Sequence, residues 1–192
     1  MKSLIQKLTE TFSPSGYESA IREVIRNEVQ GLGDEIRVDA LGNLIVRKGP
    51  SKGAGKAKRI MIAAHMDEIG LVASHIDENG FVRFTTIGGV YPQMLMGSRV
   101  RFFSGTPGIV HTEPLEKPTD TPSIEKMFID VGAKSRKECP VKVGEVAAFE
   151  RPFLDLGDKI VAKSMDDRIG CAVAIEALRA LKSTPHEVYF VF

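Results

Sequence analysis

Apolar residues recur at helical spacing at the start of the chain and define two amphipathic segments. The first carries Leu4, Ile5, Leu8 and Phe12, and the second, over residues 18–30, carries Ile21, Val24, Ile25 and Val29. This repeat is typical of helices that bury one face. Ser13-Pro14-Ser15-Gly16 lies between the two segments, and Pro and Gly interrupt helices. The pattern therefore predicts two helices joined by a turn.

The apolar runs that follow predict strands. Residues 36–38 and 44–46 flank a turn at Asp39-Ala40-Leu41-Gly42-Asn43. Residues 59–64 form a continuous apolar run, which is typical of a strand buried in a sheet with helices on both sides. A helical repeat returns at about residues 170–181, and residues 188–192 predict a final buried strand.

The middle of the chain has a different texture. Seven of the ten prolines lie between residues 69 and 157, together with short strand-like runs at 70–76 and 81–86. Such a pattern favours a separate small β unit. We therefore expect residues 1–68 and 158–192 to form one α/β domain, interrupted by a β-rich domain at 69–157.

Composition excludes several classes of protein. In 192 residues, 26 Lys and Arg face 25 Asp and Glu, which gives a net charge of +1 and argues against a nucleic-acid partner. No apolar run approaches the ~20 residues of a membrane span. Two cysteines are too few for a disulfide framework, so the cytoplasm is the expected compartment. Because the last predicted strand has no turn or polar tail after it, we also expect the sequence to be part of a longer protein.

The end of the predicted strand at residues 59–64 carries the first candidate chemistry. His65 and Asp67 are two residues apart, and the alternation of a strand would put both side chains on one side. Strand ends in open α/β sheets are also where ligands bind. The pair suits a metal site, but a lone His-x-Asp is often a hydrogen-bonded pair without a metal, and the spacing alone favours that structural explanation.

A second acidic cluster, Asp166-Asp167-Arg168, precedes the last predicted helix. A carboxylate there would project into the same kind of crevice, near a helix N-terminus. The alternative is structural, because Asp is a favoured N-cap and Arg168 could pair with either carboxylate. His75 in a strand, His111 in a Pro-rich loop and His186 before the last strand are expected to be surface or packing residues.

Four segments together resemble the glutamyl and deblocking aminopeptidase family of dinuclear-metal exopeptidases. They are Ser13-Pro14-Ser15-Gly16, Asp39-Ala40-Leu41-Gly42-Asn43-Leu44, Ala64-His65-Met66-Asp67-Glu68-Ile69-Gly70 and Lys163-Ser164-Met165-Asp166-Asp167-Arg168. The family includes tetrahedral aminopeptidases and relatives described as endoglucanases. The resemblance implies a three-layer α/β catalytic domain with an inserted, β-barrel-like domain used in homo-oligomerisation.

The resemblance also implies a role for three of these residues. His65 would ligate one metal ion, Asp166 would bridge both ions, and Asp67 would belong to the catalytic machinery as the carboxylate that orients His65. Two divalent ions, zinc or cobalt, would serve each complete subunit, and the substrates would be peptides cleaved at the N-terminus. A glutamate pair, which supplies the base, and further Asp and His ligands would follow Phe192. We therefore expect the 192-residue chain alone to be inactive.

Two other functions compete with this interpretation. A glycoside hydrolase of the endoglucanase type would use two carboxyl groups ~5 to 9.5 Å apart. Asp166 and Asp167 are adjacent at a helix start, where their side chains should diverge, and this function leaves His65 unexplained. The other alternative is a non-catalytic assembly module, which would need neither a metal nor His65.

Overall fold

Among the described residues, three α-helices, three short 3-10 helices, a four-stranded sheet, a two-stranded sheet and a closed barrel form the regular structure. The computed structural model describes residues 1–52, 55–115, 117 and 119–192. It divides into two compact units, Met1–Asp67 with Phe153–Phe192, and Glu68–Pro152. Within the described residues, no helix combines the length and the apolar character needed to cross a bilayer.

The first unit contains the helices and the four-stranded sheet. Its elements are α1 (Lys2–Glu10), α2 (Ser19–Val29), β1 (Glu35–Val38), β2 (Leu44–Lys48), β3 (Arg59–Ala63), β10 (Leu154–Asp155), β11 (Ile160–Val161), α3 (Met165–Ala180) and β12 (Glu187–Val191). The sheet order is β1-β2-β12-β3. Strand β12 runs antiparallel to β2 and parallel to β3. The parallel pair requires the crossover that α3 provides.

One face of this sheet forms a core with all three helices. Strand β12 alternates between buried and half-buried positions, as expected when only one face is covered. The shared buried cluster contains Leu8 of α1, Ile25 of α2, Ile175 of α3, Val46 of β2 and Phe190 of β12. In the described part of the chain the sheet therefore has helices on one face, and the third layer implied by the resemblance stays a prediction.

The prediction that residues 59–64 form a buried strand was wrong for β3. All five of its residues are exposed, including Met61 at 70%. The reason is that β3 is at the edge of the sheet, paired with β12 alone among the described strands. Burial begins one residue after the strand, at Ala64, whose amide donates to the carbonyl of Val191 over 3.1 Å.

The second unit is a closed six-stranded antiparallel barrel. Its strands are β4 (Gly70–Ile76), β5 (Val82–Ile87), β6 (Arg99–Phe102), β7 (Pro107–Thr112), β8 (Met127–Asp130) and β9 (Val146–Phe149). They close in the order β4-β5-β8-β7-β6-β9. Closure removes unpaired strand edges. The interior is apolar, with Leu71, Phe102 and Ile129 among its buried residues.

The second junction between the units lies earlier than the sequence pattern indicates. The proline content and the strand-like pattern of the sequence predict a boundary after residue 157, whereas Phe153 already belongs to the first unit. Phe153 packs against the helical core, and its amide donates to the Glu10 carboxylate over 3.1 Å. Strands β10 and β11 then pair with each other. These short strands carry no apolar alternation, so the sequence offers no sign of where they belong.

Candidate metal centre

His65 and Asp67 lie on one side of the chain just after β3. The residue between them, Met66, is buried and belongs to the helical core, which directs its two neighbours the other way. The Asp67 Oδ1 atom lies 2.8 Å from His65 Nδ1. This contact requires a proton on Nδ1 when Asp67 is ionised. In the neutral ring of this tautomer Nε2 carries a lone pair, whereas in the protonated ring both nitrogens carry protons. A second hydrogen bond, from Nε2 to a carboxylate, therefore belongs to the protonated ring.

Asp67 is held on both of its oxygens. The hydroxyl of Ser15 donates a hydrogen bond to Oδ2, while Oδ1 faces His65. Burial by itself raises the pKa of Asp67, but the hydrogen bonds from Ser15 and His65 and the charge of the imidazole outweigh it. The pKa is therefore lowered, and Asp67 is an ionised acceptor at neutral pH.

Asp166 meets the same imidazole from the other side. Its Oδ1 lies 3.1 Å from His65 Nε2, and its side chain is 97% exposed. Within α3, Asp166 and Asp167 have non-helical backbone angles, and Ser164 just before them has a φ of 57°. This irregular start directs the Asp166 carboxylate away from the helix. His65 has a raised pKa because its hydrogen bonds to the two carboxylates outweigh the effect of burial, which lowers it.

The neighbouring carboxylate, Asp167, has a different partner. Its Oδ1 accepts the backbone N–H of Gly170 over 3.2 Å, which is the capping role that the sequence left open for this cluster. A side chain at position 170 would collide with this carboxylate, so glycine permits the contact. Asp166 and Asp167 are adjacent in sequence but serve separate purposes.

Arg168 is fully buried and joins three segments around the site. Its Nε donates to the carbonyl of Met66 over 3.1 Å, and its terminal nitrogens donate to backbone carbonyls at the end of α1 and in the following turn. These acceptors are Leu8, Thr9, Thr11 and Ser13. The planar guanidinium suits several acceptors at once. Arg168 therefore connects the segment of His65 and Asp67 with the turn that carries Ser15.

An open cavity of about 440 Å³ adjoins these residues. Its lining includes His65, Asp67 and Asp167, together with a loop formed by Leu41, Gly42 and Asn43. The loop of the latter three is shaped by Asp39, whose carboxylate accepts the amides of Leu41 and Asn43 over 3.0 Å each. The cavity thus brings together three of the four sequence segments that resemble the exopeptidases.

The structure brings His65, Asp67 and Asp166 together, but their roles stay predictions. Among the described residues, no group of three or more His, Cys, Asp or Glu side chains is arranged to hold a metal ion. Sequence reasoning missed the contacts of Ser15 and Arg168. The expectation that His111 lies in a loop was wrong, because it belongs to β7 and stacks on Phe128, with 5.7 Å between ring centroids.

Cys171 is buried next to the backbone of His65, and we expect its thiol to be unreactive. Its thiol contacts the carbonyl of His65 at 3.3 Å. Burial, followed by the charge of Asp167, raises its pKa to about 12. Because the thiolate is the reactive form, native protein at pH 8 should expose at most the thiol of Cys139 to a thiol reagent. Denatured protein should show both, and a native Cys139→Ser variant that still reacts would contradict the expectation.

Comparison with known proteins identifies the family. The model of the M42 glutamyl aminopeptidases matches residues 42–192. The chain belongs to the M42 glutamyl aminopeptidase family. One M42 relative, a putative aminopeptidase of Acetivibrio thermocellus, is 44% identical over 100% of the chain and 57% of its own length. The chain spans about half the length of the curated relatives it matches, between 48% and 57%.

Several solved structures have a fold similar to that of this chain. Aminopeptidase APDkam598 of Desulfurococcus kamchatkensis has a TM-score of 0.91 and 37% identity, over 99% of this chain and 54% of its own. The TET1 peptidase of Pyrococcus horikoshii, described as assembling into a tetrahedron or a large octahedral shell, has a TM-score of 0.86 and 34% identity, over 99% and 59%. A Thermotoga maritima protein described as an endoglucanase has a TM-score of 0.86 and 33% identity, over 98% and 58%. This M42 chain therefore has the mixed α/β fold of aminopeptidases.

Proposed function

We propose that this protein is a metal-dependent aminopeptidase that releases N-terminal residues from peptides. One observation carries the proposal: the imidazole of His65 lies between two carboxylates, Asp67 on Nδ1 and Asp166 on Nε2. In metal sites, a ligating histidine almost always donates its other ring N–H to a carboxylate, a carbonyl or water. Membership of the M42 family supports the same reaction.

The donor set fits the metals that the family resemblance implies. His65 Nε2 and the Asp166 carboxylate would be ligands, and imidazole with carboxylate suits zinc or cobalt. A carboxylate has an oxygen for each of two cations, so Asp166 would bridge two divalent ions. When bound, the ions polarise the scissile carbonyl and lower the pKa of water.

The residues of this chain then have defined tasks. Asp67 keeps the proton of His65 on Nδ1 and increases the basicity of Nε2. Asp167 stabilises the irregular helix start by accepting the Gly170 amide, which fixes the backbone that carries Asp166. The cavity bounded by Leu41 and Asn43 would receive the end of the peptide. None of these tasks is that of the general base, which the family resemblance assigns to a glutamate expected after Phe192.

Assembly and compartment belong to the same proposal. The homologous TET1 peptidase is described as forming a tetrahedron or an octahedral shell. We infer that this protein also self-associates as a homo-oligomer and that its barrel unit takes part. Both cysteines are free thiols, which supports the cytoplasm as the compartment.

The glycosidase alternative is less well supported. It needs two carboxyl groups facing one glycosidic bond, yet Asp166 contacts His65 and Asp167 caps α3. It also assigns no purpose to the contacts of His65. A non-catalytic assembly module would not explain why the imidazole of His65 contacts both Asp67 and Asp166.

A substrate panel separates the three functions. Protein from the full coding sequence that contains these residues is assayed on a panel of peptides and on a cellulose oligomer, before and after chelation. We expect release of N-terminal residues that chelation abolishes and zinc or cobalt restores. Efficient cleavage of the oligomer without any peptide hydrolysis would establish the glycosidase, and absence of both activities and of bound metal would favour the module.

We expect the 192-residue chain expressed alone to show no metal-dependent turnover. It offers two proposed protein ligands, whereas catalytic zinc sites use about three plus water. General base catalysis, which contributes roughly 10² to 10⁴-fold, would also be lacking. The assay compares the chain with added zinc or cobalt against a chelated control. Turnover comparable to that of the full coding sequence would mean that this chain holds the remaining ligands.

A further inference from the structure

Ser15 lies 52 residues before Asp67 in sequence and beside it in space. Its hydroxyl donates to Asp67 Oδ2, the oxygen that does not face His65. The terminal torsion of an aspartate side chain is otherwise soft, with broad rather than sharp minima. Partners on both oxygens restrict this torsion. Ser15 on Oδ2 and His65 on Oδ1, at 2.8 Å, thus hold the same carboxylate from its two sides.

The turn that carries Ser15 is itself firmly held. The Tyr17 amide donates to the Pro14 carbonyl over 2.8 Å, and Gly16 adopts a φ of 88°, which favours glycine. On the other side of Ser15, the hydroxyl of Ser13 accepts the Ile21 amide over 3.1 Å, which attaches the turn to α2. The Ser15 hydroxyl is thus presented from a fixed backbone.

Arg168 ties this turn to the strand end that carries Asp67. Its guanidinium donates to the Ser13 carbonyl over 3.5 Å and to the Met66 carbonyl over 3.1 Å. Ser13 and Met66 are close in sequence to Ser15 and Asp67, respectively. A buried side chain therefore links the backbone next to Ser15 with the backbone next to Asp67.

We propose that Ser15 is a positioning residue for the metal centre: its hydroxyl fixes the Asp67 carboxylate, which fixes the His65 ring with Nε2 available to a metal. The expected effect of Ser15 on metal affinity rests on the proposed function, whereas its expected effect on the orientation of the His65 ring does not. Outer partners of metal ligands typically change affinity or activity by about 10- to 100-fold when removed. Ser15 acts through Asp67, so its removal should cost no more than about 10-fold, the lower end of that range.

A merely structural Ser15 makes a different prediction. If its hydroxyl only stabilised the turn, Ser15→Ala would lower the free energy of unfolding and leave the His65 ring and the metal affinity unchanged. Ser15→Thr keeps a hydroxyl and should restore both properties of the site. Ser19→Ala is the matched control, because that exposed hydroxyl in α2 contacts Arg22 and not the site.

The experiment uses protein from the full coding sequence in two states. In the metal-free state, ring-¹⁵N histidine labelling and NMR give the exchange rate of the His65 Nδ1 proton with solvent, assigned with His65→Gln. In the second state, competition with a chelator gives the zinc dissociation constant. Urea unfolding of every variant reports stability separately.

In Ser15→Ala we expect exchange of the Nδ1 proton with solvent to become faster and zinc binding to become weaker, by up to about 10-fold. Ser15→Thr and Ser19→Ala should match wild type. Unchanged exchange and affinity in a folded Ser15→Ala variant would overturn the proposal. If Ser15→Ala does not fold, the wild-type protein alone provides the test. Exchange of its His65 Nδ1 proton with solvent as fast as in a free imidazole would overturn the proposal. If no variant binds zinc while exchange still depends on Ser15, the proposed function fails and the positioning role stands.

Discussion

Asp166→Ala is expected to remove both metal ions and with them the peptidase activity. The proposed bridging carboxylate serves two cations, so no single neighbour can replace it. Its Oδ1 lies 3.1 Å from His65 Nε2, and the side chain is 97% exposed, so truncation leaves the helical core intact. We expect activity to fall by more than the roughly 100-fold that loss of an outer partner costs.

Asp67→Ala provides the informative contrast. Asp67 orients the imidazole without being a proposed ligand, so metal should stay largely bound at saturating concentration while turnover falls about 10- to 100-fold. Asp158→Ala, at an exposed position of the same unit, is the control and should behave as wild type. Elemental analysis of the purified proteins gives metal per subunit. Equal metal content in wild type and Asp166→Ala would contradict the bridging role.

Arg168→Met is expected to cause the largest loss of stability in the first unit. Arg168 is 0% exposed and supplies hydrogen bonds to the carbonyls of Met66 and Leu8, at 3.1 and 2.8 Å, among others. Methionine fills a similar space but donates to none of them. Buried acceptors left without donors cost about 1–3 kcal/mol each, so we expect a loss of roughly 3–5 kcal/mol in the free energy of unfolding.

The control for this variant is Arg26→Met. Arg26 is a half-buried residue of α2 that pairs with Glu23 one turn earlier, over 3.2 Å. Pairs of this kind contribute about 0.3–0.5 kcal/mol. Urea unfolding of both variants measures the difference. Arg168→Met as stable as Arg26→Met would mean that the guanidinium is not needed to join the segments around the site.

Local pattern was sufficient to predict α2, whereas α3 begins at Met165, before the predicted start at about residue 170. Apolar periodicity over residues 18–30 predicts a helix, and α2 extends over Ser19–Val29. Periodicity reflects which face of an element is buried, and this information is local. It misleads for β3, because an apolar run has the same composition in an edge strand as in a central one. The residues of a strand do not by themselves determine which other elements of the fold pack against it.

The candidate site divides in the same way. His65, Asp67 and the pair Asp166-Asp167 are candidates because of their residue types and their positions at a strand end and a helix start, and the family resemblance alone singles out Asp166. Ser15 and Arg168 carry no such sign. The bonds of Arg168 to Met66 and Leu8 span 102 and 160 residues, so only the folded chain brings these groups together. The sequence alternative that Asp166-Asp167 caps a helix holds for Asp167 alone.

Anomalous diffraction at the zinc edge tests the central claim most directly. Crystals of protein from the full coding sequence, purified with zinc, are measured on both sides of the absorption edge. We predict two anomalous peaks, one of them about 2.0–2.1 Å from His65 Nε2 and both within about 2.0–2.2 Å of Asp166 carboxylate oxygens. Crystals of zinc-dependent, active protein whose anomalous peaks lie away from both residues would contradict the account.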